Sequence, residues 1–249
     1  MQENKMPKVQ VRGLTKQFGD LLVLNNISFD VHAGEFLCIV GPTGCGKTTF
    51  LNSLTKLYQP TAGEILLEGE PVDLKKHNIA YIFQEYSTMP WLTVEENVGF
   101  GLDIKGVEKG KAKSLVDEYL DIVGLSKYRK YYPDQLSASM LQRVVIARAF
   151  ATQPDLLLMD EPYGQLDIQL RYHLEDELIS LWQRTGTTVI FITHNIEEAV
   201  YMGERILVLT NKPTGIKKAI DNNLPRPRDI ASPDFVKLRN EVTDLIKWW

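Results

Sequence analysis

A glycine-rich segment, Gly41–Thr49 with the sequence GPTGCGKTT, fits the pattern G-x-x-x-x-G-K-S/T between a predicted buried strand and a predicted helix. Glycines let backbone N–H groups approach phosphate oxygens closely, and the helix N-terminus adds its positive dipole end. In this pattern the lysine reaches the β- and γ-phosphates, and the hydroxyl that follows it holds Mg²⁺. We therefore predict a site for nucleotide phosphates formed by Gly41, Pro42, Thr43, Gly44, Cys45, Gly46, Lys47, Thr48 and Thr49.

Two carboxylates, Asp160 and Glu161, follow the apolar run of LLLMDEP. In an open parallel sheet, ligands bind at the carboxyl ends of the strands. Asp160 is suited to the Mg²⁺ shell, directly or through water. Glu161 is suited to orienting or deprotonating an attacking water. The pair alone is equally compatible with a solvated turn, but the phosphate loop earlier in the chain favours a role in hydrolysis.

Two further polar residues end predicted strands. His194 closes TVIFITH before the predicted helix NIEEAVYM, and Gln84 follows the strand YIF. At the carboxyl edge of the sheet, His194 would reach the γ-phosphate and Gln84 could contact the metal or the water. Most lone histidines are structural and most loop glutamines face solvent, so both assignments depend on the other motifs.

The elements that must position these residues alternate along the chain. Alternation of apolar and polar residues predicts strands in KVQVRGLTKQF and LVLNNISFDV, on either side of a turn at Gly19 and Asp20. Strands and helices then alternate, which indicates a largely parallel α/β core. Helical periodicity prevails between Gln84 and Gln153, which predicts an inserted helical subdomain. We predict a single domain 1–249, with a core in 1–83 and 154–222, the helical subdomain in 84–153 and a tail helix in 223–249.

The composition excludes several classes of protein. The net charge of −4 and the scattered lysines and arginines provide no basic stripe, so we predict no nucleic-acid partner. The two cysteines have neither disulfide nor zinc spacing, which makes a reducing cytoplasm the default. No apolar run approaches the roughly 20 residues of a membrane-spanning helix, and no apolar h-region marks a secretory signal. We expect a protein that docks on a membrane partner and does not cross the membrane.

Taken in order, these motifs resemble those of the ATP-binding cassette (ABC) ATPases over nearly the whole chain. The matching residues are the phosphate loop, Gln84, a signature-like QLSASM before QRVVIARA, LLLMDEP, GQLD and His194. The resemblance implies a P-loop NTPase (RecA-like) α/β core with an N-terminal antiparallel β subdomain and an inserted α-helical subdomain. It also implies that Phe18 stacks on adenine, Glu161 is the catalytic base, His194 senses the γ-phosphate, and Asp167 belongs to a loop that crosses to a partner subunit.

The resemblance implies partners and a reaction as well. ABC ATPases act as dimers that sandwich ATP, with Mg²⁺, between the phosphate loop of one subunit and the signature of the other, and water attacks the γ-phosphate in line. PWLTVEENVGFGL, YPDQLS, LPRPRD and Met140 resemble the nitrate/sulfonate/taurine importer subfamily. They imply an integral membrane permease, an extracytoplasmic substrate-binding protein, a location on the cytoplasmic face of the membrane, and import of a small anion or organic sulfonate such as nitrate, alkanesulfonate or taurine.

The signature departs from the family's L-S-G-G-Q or L-S-G-G-M, because Ala138 and Ser139 replace both glycines. A Cβ obstructs backbone conformations and close approaches that glycine allows. Ser137 keeps a hydroxyl for the γ-phosphate at a helix N-terminus, and the hydroxyl of Ser139 is a candidate substitute donor. Gln165, in GQLD, also stands where alanine is common. We expect reduced rather than absent hydrolysis.

Several interpretations stay open at this point. The protein is either a homodimeric ATPase with a weakened signature, or it pairs with a second ATPase subunit and supplies a degenerate signature to that partner. A nucleotide-binding regulatory subunit that does not turn over is a third interpretation, against which the intact Glu161 and His194 argue. A non-transport ABC ATPase would usually carry long coiled-coil insertions or two tandem cassettes, and this chain has neither.

Overall fold

The computed structural model describes residues 6–164 and 166–246. Gln165 and the terminal Trp248 and Trp249 lie outside the described residues. The first part of the chain contains β1 (Val9–Phe18), β2 (Leu21–Val31), β3 (Phe36–Val40), α1 (Lys47–Leu54), β4 (Ala62–Leu67), β5 (Glu70–Pro71), β6 (Ile79–Ile82), α2 (Val94–Ile104) and α3 (Lys109–Ile122). The second part contains α4 (Ala138–Ala151), β7 (Leu156–Asp160), α5 (Ile168–Thr185), β8 (Thr188–Thr193), α6 (Ile196–Met202), β9 (Arg205–Leu209), β10 (Ile216–Asp221) and α7 (Pro233–Ile246).

The chain packs as two units, one formed by residues 6–77 and 186–246 and the other by residues 78–185. The first unit begins with a four-stranded antiparallel sheet in the order β2-β1-β4-β5. Val9 in β1 pairs with Val31 of β2 and with Leu67 of β4, and all three side chains are buried. The alternating pattern that predicts these strands arises because one face of the sheet is buried.

The first unit also contains strands in the order β10-β9-β3-β8. β3 runs parallel to both β8 and β9, and each of its five residues, FLCIV, is buried. A strand enclosed on both faces reads as a continuous apolar run, which explains its sequence. Val40 pairs with Thr193, so β3 and β8 end side by side. The residues that follow these two strands, the phosphate loop and His194, therefore start from the same edge.

The second unit combines a parallel strand pair with four helices. Ile82 at the end of β6 pairs with Met159 of β7, so Asp160 at the end of β7 and Gln84 just after β6 belong to neighbouring strand ends. α2 starts with a capping box in which Thr93 and Glu96 bond each other's backbone N–H groups. α4 packs against α2, α3 and β6. The predicted fold class is confirmed, whereas the exact subdomain boundaries stay a prediction.

Candidate nucleotide site

The phosphate loop depends on left-handed glycines at its centre. Gly44 has φ 76° and Gly46 has φ 114°, a region that residues with a Cβ rarely adopt. A Cβ added at Gly46 would also lie only 2.8 Å from Cγ1 of Val23. After Gly46 the chain enters α1 directly, so backbone N–H groups at the start of the helix are presented to the loop. This geometry fits the anion site that the sequence predicts, and phosphate binding by these residues stays a prediction.

Lys47 is buried and folds over this loop. Its Nζ donates to the carbonyl oxygens of Gly41 and Pro42, at 3.1 and 3.2 Å. The ammonium is thus held next to the backbone N–H groups that would receive phosphate oxygens. Thr48, the next residue, is exposed at the first turn of α1, where its hydroxyl can reach a metal ion.

The Cys45 thiol in the same loop is buried, and burial raises its pKa. It is therefore a neutral, weakly polar side chain at physiological pH and not a nucleophilic thiolate. The loop is braced through its backbone, since the Thr214 hydroxyl donates to the Cys45 carbonyl and the Cys45 N–H donates to the Pro42 carbonyl at 3.1 Å. Cys45 therefore contributes to the shape of the loop, and its own N–H is used within the loop.

Phe18 ends β1 and is 40% exposed. Its ring forms a T-shaped pair with that of Tyr58, with centroids 5.3 Å apart, and Nζ of Lys16 lies 4.7 Å from its centroid. A partly exposed ring held by two neighbours is suited to stacking on a flat heterocycle, because little side-chain freedom remains to be lost. Lys16 and Tyr58 were not predicted from the sequence, since nothing local marks their contact with Phe18.

His194 is exposed immediately after β8, and its neighbours hold the backbone on both sides. Asn195 caps α6, because its side chain accepts hydrogen bonds from the N–H groups of Glu197 and Glu198. Thr193 donates from Oγ1 to Oε2 of Glu198 at 2.5 Å and accepts from the N–H of Asn195 at 2.9 Å. The histidine therefore joins a buried strand end to a capped helix.

In the second unit, β7 ends at Asp160, and Glu161 follows it directly. Asp160 is buried, and its Oδ2 accepts a hydrogen bond from the phenol of Tyr81 at 3.3 Å. Glu161 has φ 46°, a left-handed conformation that is uncommon for a residue with a long side chain. Its carbonyl accepts from the Gly164 N–H at 3.1 Å. The chain turns sharply after Asp160, and strained backbone of this kind is frequent at functional sites.

The signature segment begins a regular helix despite its missing glycines. Ser137 caps α4 by accepting from the N–H of Met140, and its Oγ lies 3.0 Å from Oγ of Ser139. Ala138 and Ser139 are the first two helical residues, and neither lies in the left-handed region. The backbone here therefore does not require glycine. Any effect of the replacements must come from the space that their side chains occupy.

The residues present fit a magnesium–nucleotide complex by their chemistry. Within the described part of the chain, no group of three or more His, Cys, Asp or Glu residues is placed to hold a metal ion by itself. Mg²⁺ at nucleotide sites needs only one or two protein oxygens, because phosphates and water complete its shell. Thr48, Gln84 and Asp160 carry hydroxyl, amide and carboxylate oxygens of the required type.

Comparison with known proteins decides the family. A profile described as "ABC transporter" matches residues 24–164. The chain belongs to the ABC transporter family. It is 42% identical over 244 residues to an uncharacterized ABC transporter ATP-binding protein of Methanocaldococcus jannaschii, covering 96% of this chain and 91% of that protein. It is also 42% identical over 228 residues to an aliphatic sulfonates import ATP-binding protein of Bacillus thuringiensis subsp. konkukian, covering 92% and 90%.

Solved structures agree with this assignment. A dimeric ATP-binding cassette in a post-hydrolysis state, bound to ADP and phosphate, matches with a TM-score of 0.75 and 30% identity over 86% of this chain and 99% of that chain. The prediction of an ABC ATPase is confirmed, and the protein is an enzyme that hydrolyses ATP. No helix within residues 6–164 or 166–246 is long and apolar enough to span a bilayer.

Two interactions of this ABC ATPase could not be predicted from the sequence. Tyr81 contacts Asp160 although the two residues are 79 positions apart, and the ring of Tyr58 contacts that of Phe18 from about half that separation. The available signal was slight: Tyr81 lies in the predicted strand that leads to Gln84, and Tyr58 follows the predicted helix after the phosphate loop. The predicted nucleotide-binding residues form two groups, with Phe18, the phosphate loop and His194 in one unit and Gln84, Asp160, Glu161 and the signature in the other.

Proposed function

We propose that this ABC ATPase energises an importer for a small anion or organic sulfonate such as nitrate, an alkanesulfonate or taurine. The observation that carries the proposal is the 42% identity, over 92% of the chain, to a protein named for aliphatic sulfonate import. In the proposed system a membrane permease and an extracytoplasmic substrate-binding protein contact the transported compound. The ATPase subunit supplies energy from the cytoplasmic face of the membrane.

Nucleotide binding is assigned to Phe18 and the phosphate loop, and metal binding to Thr48, Asp160 and Gln84. Phe18 stacks on adenine, and the loop Gly41–Thr49 receives the phosphates. Lys47 exchanges its contacts with the loop carbonyls for contacts with phosphate oxygens, which are stronger because both partners are charged. The exposed hydroxyl of Thr48 and the side chains of Asp160 and Gln84 hold Mg²⁺, which supplies charge stabilisation when bound.

Hydrolysis is assigned to Glu161 and His194. Glu161 accepts the proton of the attacking water as that water bonds to the γ-phosphorus and the β–γ bridging oxygen leaves with its electron pair on ADP. His194 donates a hydrogen bond to the γ-phosphate, which places the transferring group in line with the water. The left-handed φ of 46° at Glu161 supports this assignment, because uncommon backbone conformations cluster at functional sites.

The signature of this chain is assigned to the nucleotide that a second ATPase subunit holds. We infer that Ser137 and the N-terminus of α4 contact the γ-phosphate held by that subunit. The intact cap and regular first turn of α4 favour a homodimer with a weakened signature. A heterodimer is the second candidate, favoured by the Cβ atoms of Ala138 and Ser139, which a closely approaching phosphate would meet.

A groove within residues 78–152 is the proposed contact for the permease. It has a volume of about 380 Å³, and its lining includes Tyr81, Phe83, Ile104 and Arg148. Phe83 is 44% exposed and Ile104 is 71% exposed. Exposed apolar side chains with a polar rim are typical of protein interaction sites. We propose that a cytoplasmic segment of the permease packs here, next to the strand end that carries Gln84.

A steady-state ATPase assay of the purified protein, with Glu161→Gln as the control, distinguishes the homodimer from the heterodimer. Robust turnover that depends on Glu161 supports the homodimer and excludes an obligate heterodimer. Uptake of labelled nitrate, taurine and an alkanesulfonate by cells that carry the wild type or Glu161→Gln tests the transport class. Hydrolysis that nucleic acid stimulates, without any effect on uptake, would contradict the importer assignment.

A further inference from the structure

The segment Asn222–Arg228, with the sequence NNLPRPR, covers the carboxyl end of α6. α6 is the short helix, Ile196–Met202, that begins two residues after His194. The last carbonyl groups of any helix have no partner within the helix and must find one elsewhere. In this protein they find guanidinium groups, and we call the two arginines involved, Arg226 and Arg228, the arginine clamp.

Arg228 is 7% exposed and makes the larger set of contacts. Its side chain donates to the carbonyl oxygens of Val200 at 2.9 Å, Tyr201 at 2.8 Å, Gly203 at 2.7 Å, Asn222 at 3.3 Å and Leu224 at 3.3 Å. The fixed, planar fork of a guanidinium can engage several carbonyls at once, whereas a lysine ammonium acts as a compact point charge. Burial lowers the pKa of Arg228 to about 10, which leaves it a cation at neutral pH.

Arg226 and Asn222 complete the cap. Arg226 donates to the carbonyls of Tyr201 and Met202, and the Asn222 amide donates to those of Val200 and Gly203 at 2.8 and 2.9 Å. Each of the four carbonyls from Val200 to Gly203 therefore accepts a hydrogen bond from this segment. Positive charge at the carboxyl end of a helix is also favoured by the helix dipole. The clamp thus fixes both the position and the direction of the end of α6.

The opposite end of α6 carries His194. A helix of seven residues has little stability of its own, so contacts with the rest of the protein determine where it lies. Asn195 and the bond between Thr193 and Glu198 hold its first turn, and the arginine clamp holds its last. A shift at the clamped end is transmitted through about two turns of helix to His194, the residue that precedes the N-cap Asn195.

We propose that Arg228, assisted by Arg226, positions His194 for the γ-phosphate through α6. The inference rests on the proposed role of His194 in hydrolysis. It assigns a role to the two arginines of the LPRPR sequence, which donate to carbonyl groups at the end of α6. Arg226 and Arg228 act as positioning residues, and their loss should affect turnover more than ATP binding.

The test compares kcat and KM for ATP in Arg228→Gln, Arg228→Lys and Arg226→Gln. We expect Arg228→Gln to lower kcat about 10-fold with little change in KM, since small misplacements of a catalytic group reduce rates steeply. Arg228→Lys should recover part of that loss. The matched control is Arg239→Gln, which removes a 3.3 Å ion pair to Glu197 of the same helix and should leave kcat unchanged.

A double-mutant cycle with His194→Ala identifies the route of the effect. If Arg228 acts through His194, then Arg228→Gln lowers kcat in the wild type but not in His194→Ala. If the double variant shows the product of the two single reductions in kcat, Arg228 and His194 act independently and the inference is overturned. An Arg228→Gln enzyme with normal kcat would also overturn it. Should Arg228→Gln fail to fold, Arg226→Gln enters the same cycle with the same expected outcomes.

Hydrogen exchange separates this inference from the proposed function. Arg228→Gln should increase exchange at the amides of residues 197–203, even if the purified protein has no measurable turnover. Unchanged exchange there overturns the clamp. If exchange increases while His194→Ala has wild-type kcat, the arginine clamp on α6 is supported but the proposed role of His194 is wrong. The proposal that Arg228 positions His194 for catalysis is then wrong as well.

Discussion

The phenol of Tyr81 donates a hydrogen bond to Oδ2 of Asp160 at 3.3 Å, across the parallel pair of β6 and β7. Tyr81 pairs with Leu158 in register, and Asp160 lies two residues further along β7 on the same face. The long tyrosine side chain therefore reaches the carboxylate at the strand end. This contact restricts the orientation of the carboxylate that we assign to Mg²⁺.

Replacing Tyr81 by Phe should weaken the use of Mg²⁺ without abolishing hydrolysis. The variant loses a hydrogen bond to a charged group, worth ~1.5 kcal/mol, so we expect the Mg²⁺ concentration for half-maximal turnover to rise about 10-fold. ATPase rates measured across a Mg²⁺ titration test this. Tyr128→Phe, an exposed tyrosine of the same unit, is the control. Identical Mg²⁺ curves for Tyr81→Phe and the wild type would refute the role of the contact.

Glu161→Gln should remove turnover and keep ATP binding. General-base catalysis contributes about 10²- to 10⁴-fold, and the amide cannot accept the proton. We expect a loss of that order in kcat, with the affinity for a fluorescent ATP analogue unchanged. The exposed Glu64, replaced by Gln in the same way, provides the matched control. Turnover of Glu161→Gln at the rate of that control would show that another group accepts the proton.

Replacing Ala138 and Ser139 by the glycines of the family signature should raise activity and lower stability. Glycines at positions 138 and 139 remove the two Cβ atoms, and we expect ATPase turnover to rise several-fold. Glycine in a helix costs about 1 kcal/mol relative to alanine, so urea should unfold the variant more readily. Ser137→Ala should lose both cap and phosphate contact, with lower activity and lower stability. Unchanged turnover in the double-glycine variant would indicate that the Cβ atoms of Ala138 and Ser139 do not limit catalysis.

The capping box of α2 should make the stability of the protein depend on pH. Hydrogen bonds from the backbone and side chain of Thr93 lower the pKa of Glu96 below its usual 4.5. Because the folded-state pKa is the lower one, this stabilisation is complete above the unfolded-state pKa and is lost as the pH falls through the folded-state pKa. Thr93→Ala should lose about 1 kcal/mol at neutral pH in urea unfolding.

The control for this pH dependence is Glu96→Gln. Glutamine keeps an oxygen acceptor for Thr93 but does not titrate, so its stability relative to the wild type should improve in acid. Equal acid sensitivity of the wild type and Glu96→Gln would mean that other carboxylates dominate the transition. The comparison needs only urea midpoints at neutral and acidic pH.

A charge in the groove of the second unit should disrupt binding of the permease. Ile104→Asp places a carboxylate among Phe83, Phe100 and other apolar lining residues, where its desolvation is unfavourable. We expect the variant to bind ATP normally but to lose co-purification with the permease. Leu57→Asp changes another exposed leucine-sized side chain, in the first unit, and serves as the control. Retention of the permease by Ile104→Asp would exclude this groove as the contact.

Short-range patterns were sufficient for most of the fold and for half of the candidate site. The five buried residues of β3 followed by glycines predict the phosphate loop, because burial, glycine conformations and helix start are all local properties. The same reasoning places Asp160 and Glu161 at a strand end. The partners of these residues could not be predicted, because Tyr81 reaches Asp160 only through a strand register established between segments far apart in the chain.

The tail of the protein illustrates the same limit. LPRPR is recognisable in the sequence as part of a resemblance to importer ATPases, but no local pattern indicates that its arginines bond backbone carbonyls of a helix about 25 residues earlier. Buried arginines normally suggest carboxylate partners. Their actual acceptors depend on how the chain returns after β10 to cover the end of α6.

The amino-acid sequence by itself determined the family, the order of the motifs and the residue types that we assign to ATP binding and hydrolysis, since each motif is a short segment whose chemistry and backbone preferences are local. Only the tertiary structure decided that Ala138 and Ser139 continue a regular helix after Ser137, that Glu161 turns left-handed after Asp160, and that Arg228 holds the helix behind His194. These features depend on long-range packing, which selects one partner for each polar group among many that local sequence permits.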